Sequence, residues 1–217
     1  LIFFKKKYFV QLHTPSVNNN LIIRKIIDLV TRLSIKTYKY IGAISERNKK
    51  VYKIPEKKII PVMIGMPDYG FRERTFNELK LVYIGTLVNR EIWQSIEGLK
   101  IFIKKYPNIK ISYDIIGSGK QLEIQKIKNS IDNNELNNIV KYHGYLSLKE
   151  VKQVFEKCNI GISYVPVNEY FQNMSTKTLE YLLSGMPVIA TKNEFRTKII
   201  DEQSGVLCED NPENFAN

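Results

Sequence analysis

Cysteine, histidine and tryptophan are scarce in this 217-residue chain, with two Cys, two His and one Trp. Cys158 and Cys208 lie far apart and fit no CxxC or metal-ligand spacing. No disulfide framework is implied, and a reducing cytoplasm is the simplest compartment. His13 and His143 make no zinc site with two isolated cysteines at any standard spacing. An Asp-x-Asp pair that could hold Mg²⁺ is missing as well. No apolar run approaches the ~18–20 residues of a membrane span. The opening "LIFFKKKYFV" carries its charges in the wrong place for a signal peptide.

Acidic residues are also in deficit. Asp and Glu number 22 against 33 Lys and Arg, giving a net charge of +11 and a pI near 9.4. Nucleic acid, an anionic membrane surface and phosphorylated small molecules all suit such a charge, as does plain solvated lysine on helix faces. The runs Lys5-Lys6-Lys7, Lys49-Lys50 and Lys57-Lys58 are short, scattered and not interleaved with aromatics. No nucleic-acid partner is expected from them.

What is present is enough apolar residue, 43%, for a sizeable core. From Leu79 onward, short apolar runs alternate with amphipathic segments. "LKLVYIG", "IKISYDIIGSG", "NIVKYHG", "NIGISYVP" and "PVIAT" read as buried strands. Between them, Ile92, Ile96, Leu99 and Ile103 recur at helical spacing, as do Leu122, Ile127 and Ile131, and Pro107 stops the first of these helices. Ser147 and Glu150 occupy capping-box positions, and Gly185 stands where a helix ends. This alternation predicts an α/β domain with a doubly wound parallel sheet over residues 75–217.

Residues 1–74 read differently. "KKYFVQLHTP" and "IGAIS" are strand-like and "NLIIRKIIDLVTRLSIKTYKY" is a helix, an α/β segment with too few strands for a sheet of its own. A proline- and glycine-bearing linker follows, with the boundary near Tyr69–Thr75. The start at Leu1 and the stop in "ENFAN", where an apolar helix begins, suggest a chain cut at both ends.

In doubly wound sheets, ligands collect at the carboxyl ends of the strands. Four such ends are "GTLVNR", "GSGK", "YHGY" and "YVPVNEYFQNMSTK". The last leads into "STKTLEYLLSG", which puts Lys177 in the first turn of a helix, with Glu180 three residues on. A cation at that end is disfavoured by about 0.3–1 kcal/mol unless an anion joins it. Glu180 can accept paired hydrogen bonds from a diol such as ribose. A solvated Lys–Glu pair is the plainer alternative.

Laid out this way, the chain resembles the retaining glycosyltransferases of group 1, or family 4, which have the two-domain GT-B architecture. The matching elements are "VYIGTL....R", "YDIIGSG", "VKYHGYLS..EV...F..C.IGISYVP", "TKTLEYLLSGMPVIAT" and "GVLCEDNPENFA", in family order across about Leu79–Ala216. The resemblance makes residues 75–217 the donor-binding, Rossmann-like half and residues 1–74 the end of the acceptor-side domain plus the crossing between domains. It implies a donor site of Gly85, Thr86, Arg90, Gly117, Ser118, His143, Gly144, Tyr145, Ser175, Thr176, Lys177, Thr178 and Glu180. Lys177 would face pyrophosphate and Glu180 the ribose. His143 would contribute backbone and packing.

Three positions bear on the fit. Gln172 stands where the family places a first, sugar-contacting glutamate, with Glu169 nearby. Thr86 replaces an arginine common after the first strand, leaving Arg90 as the nearest cation. His13, in "VQLHTPS", matches a "HT" segment whose histidine faces the reaction centre in some relatives. His13, Gln172, Lys177 and Glu180 form the expected catalytic set.

The expected activity is transfer, with retention, from a UDP-, GDP- or ADP-sugar to a hydroxyl of a sugar or lipid-linked acceptor. Surface-polysaccharide or glycolipid assembly in the cytoplasm, with visits to an anionic membrane surface, is the implied setting. By the same resemblance the nucleotide sugar is substrate, and neither a cofactor nor a metal is expected. A sugar-nucleotide 2-epimerase of the same fold and a non-catalytic basic binding protein are the alternatives. The isolated chain, taken as a piece, is expected to bind nucleotide weakly and turn over nothing.

Overall fold

The computed structural model describes residues 9–13, 15–16, 20–43, 46–62, 65–166 and 175–217. The chain forms two compact units, Leu1–Gly65 and Met66–Asn217.

In the first unit, β1 (Val10–Leu12), β2 (Ile41–Ala43) and β3 (Ile59–Pro61) pair in parallel, in the order β1-β2-β3. The segment thus has a small sheet of its own, contrary to the sequence reading. The third strand hid in a proline-bearing stretch, and Pro61 is tolerated because β3 is an edge strand. Helix α1 (Leu21–Ile35) starts at Asn20, whose side chain accepts from the Ile22 and Ile23 N–H groups. Helix α2 (Glu46–Tyr52) follows β2. Leu12, Ile35, Ile41 and Tyr52 form the core.

In the second unit a six-stranded, all-parallel sheet is built from β4 (Leu79–Ile84), β5 (Ile111–Ile116), β6 (Val140–Gly144), β7 (Ile160–Ser163), β8 (Val188–Thr191) and β9 (Gly205–Cys208). Their order is β6-β5-β4-β7-β8-β9. The chain therefore winds outward from β4 in one direction and, after β6, returns to wind outward from β7 in the other. Both directions of winding cover the sheet. Leu81, Tyr83, Tyr113 and Ile115 point to the face packed by α3 (Ile92–Lys105) and α4 (Gln121–Asn133). Val82, Ile116, Val188 and Ala190 point to the opposite face with α5 (Leu148–Phe155) and α6 (Thr176–Leu183). This is the doubly wound α/β fold expected from the alternation. The capping box at Ser147 and Glu150 and the left-handed Gly185 after α6 are also present. The short helices α7 (Arg196–Ile199) and α8 (Pro212–Phe215) complete the unit.

The residues entering this unit are bound to it by one side chain above all. Arg74 donates to the carbonyls of Phe155, Cys158 and Ser184, just where α5 and α6 end. A guanidinium there satisfies orphan carbonyls and meets the negative ends of two helix dipoles.

The reversal between β4 and β7 opens a crevice. These strands pair only at Leu81–Ile160 and Val82–Gly161 and then part. The Ile84 N–H, left without a strand partner on that side, donates at 2.9 Å to the hydroxyl of Tyr181 from α6. The Tyr181 ring lies against Gly161, where a Cβ would come within 2.2 Å of it. Glycine in β7 thus admits the aromatic wedge that ties α6 to β4. Tyr181→Phe keeps the packing but strands a buried N–H, and we expect a loss of about 1–3 kcal/mol in urea unfolding. An unchanged midpoint would show that the hydroxyl bears no part of the junction.

Candidate functional site

At the carboxyl edge of the large sheet, three glycine-bearing turns are stacked against each other. Gly85 follows β4, Gly117 follows β5 and Gly144 ends β6, all with positive φ. Gly85 N–H donates to the Ile116 carbonyl at 3.0 Å, and Gly117 N–H donates to the Gly144 carbonyl at 2.8 Å. A Cβ on Gly117 would stand 1.8 Å from the Gly85 oxygen, so no other residue fits. Thr86 and Ser118 project, exposed, from this rim, while Tyr145 is 81% exposed. The Tyr83 hydroxyl donates to the Thr86 carbonyl at 2.7 Å and fixes the first turn from below.

Across the crevice stands the N-terminal turn of α6, with Ser175 as its N-cap residue. Thr178 is buried, and its hydroxyl shares a 2.8 Å hydrogen bond with Ser163 at the end of β7. Thr176 donates to the Glu180 carboxylate one turn on. Lys177 reaches over the end of β4 to the far side of the sheet. Its Nζ lies 4.0 Å from the centroid of the Tyr83 ring, in the space left by Gly85, where a Cβ would come within 2.8 Å of it. That amine is buried and has no hydrogen-bond partner among the described residues.

The electrostatics are one-sided. Burial lowers the Lys177 amine well below its usual range, the positive charges of Arg90 and Arg196 lower it further, and Glu180 opposes them. Burial likewise lowers Arg90 and raises Glu180, the latter against the pull of Lys177 and Thr176. The Tyr83 ring supplies a cation–π contact in place of a carboxylate. Such a site is short of negative charge, and an anion with several acceptor oxygens would complete it.

The structure therefore gathers Gly85, Thr86, Arg90, Gly117, Ser118, Gly144, Tyr145 and the Ser175–Glu180 turn along one sheet edge. His143 turns its ring to Asp114, at 2.5 Å, and Asp114 also lies 3.8 Å from Cys158. The imidazole is thus engaged within the fold. His13 is an exposed residue of the first unit, just beyond β1. Gln172, with Glu169, lies outside the described residues. Among the described residues no group of three or more His, Cys, Asp or Glu is gathered that could hold a metal ion. No helix is long and apolar enough to cross a membrane among those residues. The sequence reading missed Tyr83, Tyr181 and Arg196. Tyr181 stood in plain view beside Glu180, whereas Arg196 sits in a polar stretch, "KNEFRTK", that reads as surface.

Residues 78–217 match the family described as Glycosyl transferases group 1. The chain is 24% identical over 202 residues to the uncharacterized glycosyltransferase MJ1069 of Methanocaldococcus jannaschii, covering 84% of this chain and 48% of that one. The chain thus spans about half the length of that curated relative. Among solved structures, Anabaena Alr3699/HepE in complex with UDP and glucose superposes with a TM-score of 0.71 at 16% identity, covering 96% of this chain and 60% of that chain. The pneumococcal O-GlcNAc transferase GtfA in complex with UDP and GlcNAc gives 0.70 at 15%, covering 96% and 44%. These likenesses establish a GT-B fold.

Keeping an amine charged in this pocket opposes folding. The amine is lowered below the 10.5 it has when unfolded, so between the two values the unfolded chain binds more protons and stability rises with pH. Lys177→Met removes that penalty. We expect the empty variant to melt about 2–4 °C higher at neutral pH, equivalent to about 1 kcal/mol for a chain of this size. A lower melting temperature would mean that the amine has a partner stabilising it in the empty state.

Proposed function

The chain belongs to the group 1 glycosyl transferases, and from that premise we propose that its second unit holds the nucleoside diphosphate of an activated sugar. The observation that carries this reading is the Lys177 amine, buried near a helix N-terminus with no acceptor among the described residues. Pyrophosphate brings the acceptors. It would lie in the crevice between β4 and β7, facing Lys177, Arg90 and the backbone N–H groups around Thr86 and Thr176. Such preorganised donors are worth most where charge develops in the transition state, about 10²–10³ in rate for each one removed. Here that charge is the diphosphate released as the anomeric C–O bond breaks, and the cations stabilise it without a metal.

Glu180, on the same face one turn further in, would accept hydrogen bonds from the ribose hydroxyls. The rim of Gly117, Ser118, Gly144 and Tyr145 leaves room for the base, with backbone groups reading it. Gln172 would contact the donor sugar and His13 the reacting centre. We assign the whole protein's reaction as transfer, with retention, to a hydroxyl of a sugar or lipid-linked acceptor in surface-polysaccharide or glycolipid assembly. The names of the UDP- and sugar-bound neighbours support the donor class.

Thermal-shift and calorimetric titration against UDP, GDP, ADP and their sugars test this directly. One nucleoside diphosphate should stabilise the chain, by about 2.7 kcal/mol at a hundredfold excess over Kd. Lys177→Ala should weaken that ligand at least about tenfold, the loss expected for a charge-assisted contact. Glu180→Ala should weaken the ribonucleotide but leave its 2′,3′-dideoxy analogue unaffected. No response to any of the three diphosphates would overturn the proposal.

A further inference from the structure

Arg196 is the largest fully buried side chain among the described residues, 1% exposed, and it lies beneath the site on α7. Buried arginines normally face a carboxylate, because an unbalanced charge away from water is costly. Among the described residues no carboxylate lies within ion-pair distance of this one. Its Nη1 donates to the Thr191 carbonyl at 2.8 Å and to the Thr191 hydroxyl at 2.6 Å, and its Nη2 donates to the Ser163 hydroxyl at 3.2 Å. Nε is buried without a partner. Ser163 in turn meets Thr178 in the first turn of α6, one residue from Lys177. A chain of hydrogen bonds thus leads from an unbalanced guanidinium to the turn that faces the crevice.

We propose that Arg196 is a positioning residue for the donor diphosphate, fixing the first turn of α6 through Ser163 and Thr178 and adding its positive charge to the side of the crevice that the diphosphate would face. This rests on the donor reading above and adds a residue which that reading does not need. The groups around Lys177 are Tyr83 from β4, Arg90 from the loop after it, Arg196 from α7 and Glu180 from α6 itself. Cys208 of β9 faces Arg196, but burial pushes its thiol up to about 12, so it offers no counter-charge. Burial and the neighbouring Arg90 and Arg196 guanidinium groups lower the amine's hold on its proton in the empty site, with Glu180 opposing them. A bound diphosphate shifts that balance toward the ammonium, so binding is accompanied by proton uptake.

The test is calorimetry on the 217-residue chain at pH 8, with UDP, GDP or ADP, whichever binds tightest, in two non-phosphate buffers of different ionisation enthalpy. The nucleoside is pre-measured as a reference by ligand-observed NMR. The wild type should show net proton uptake on binding the diphosphate. Arg196→Gln should lower affinity for the diphosphate about tenfold, leave that for the nucleoside unchanged and reduce the uptake. Arg196→Lys keeps the charge and should stay within about threefold of the wild-type preference for diphosphate over nucleoside. It provides the readout if the glutamine variant does not fold. The proposal is overturned by absence of uptake in the wild type, by parallel loss of diphosphate and nucleoside in Arg196→Gln, or by loss of the preference in a folded Arg196→Lys. A wild type that binds none of UDP, GDP and ADP would instead overturn the donor reading itself.

Discussion

Positive charge held out of water without its counter-ion is the constraint around which the second unit is arranged. Lys177 and Arg196 converge from two different helices on the point where β4 and β7 separate. A fold optimised for its empty state would have placed carboxylates there. Among the described residues it has one, Glu180, and the nearest aromatic face takes the remaining contact. Marginal stability makes such an imbalance expensive, and an anion bound there would offset it.

The scaffold explains how that imbalance is tolerated. A doubly wound sheet places its strand ends, glycine turns and helix N-termini on one rim, and the reversal at β4 and β7 opens that rim into a crevice. Close approach is secured by absent side chains. Gly85 gives the Lys177 amine its route over the strand, Gly117 lets two turns meet, and Gly161 admits the Tyr181 wedge. Behind them the buried hydroxyls of Ser163, Thr178 and Thr191 hold Arg196 by dipoles rather than charge, which preserves its field toward the crevice.

Much of this was legible in the sequence, and the limits have physical causes. Strands β4 to β8 announced themselves as apolar runs, the first three ending in glycine, because a parallel strand covered on both faces has no polar side to show. The capping box at Ser147 and the stop at Gly185 were equally plain, since local backbone needs dictate those residue types. The short sheet of the first unit was not, for strands as brief as Ile59–Pro61 carry no periodicity and their neighbours read as a linker. Arg196 was invisible for a different reason: burial of a charged side chain depends on contacts between β7, β8 and α7, and nothing in "FRTK" encodes them. Lys177 was noticed because it broke a rule, a cation at the wrong end of a helix.

Local rule-breaking and global architecture point to the same place. Two of the energetically awkward residues of this unit, Lys177 and Arg196, lie beside the turns that a nucleotide-binding sheet would use. A structural origin would distribute strain wherever packing required it, and each buried cation would have found a carboxylate during folding. Instead, among the described residues, the hydrogen bonds of Arg196 are spent on neutral acceptors and the amine of Lys177 has none. Stability is forgone where a polyanion would restore it, and that coincidence links the group 1 glycosyltransferase fold to a role for residues that the family pattern alone does not single out.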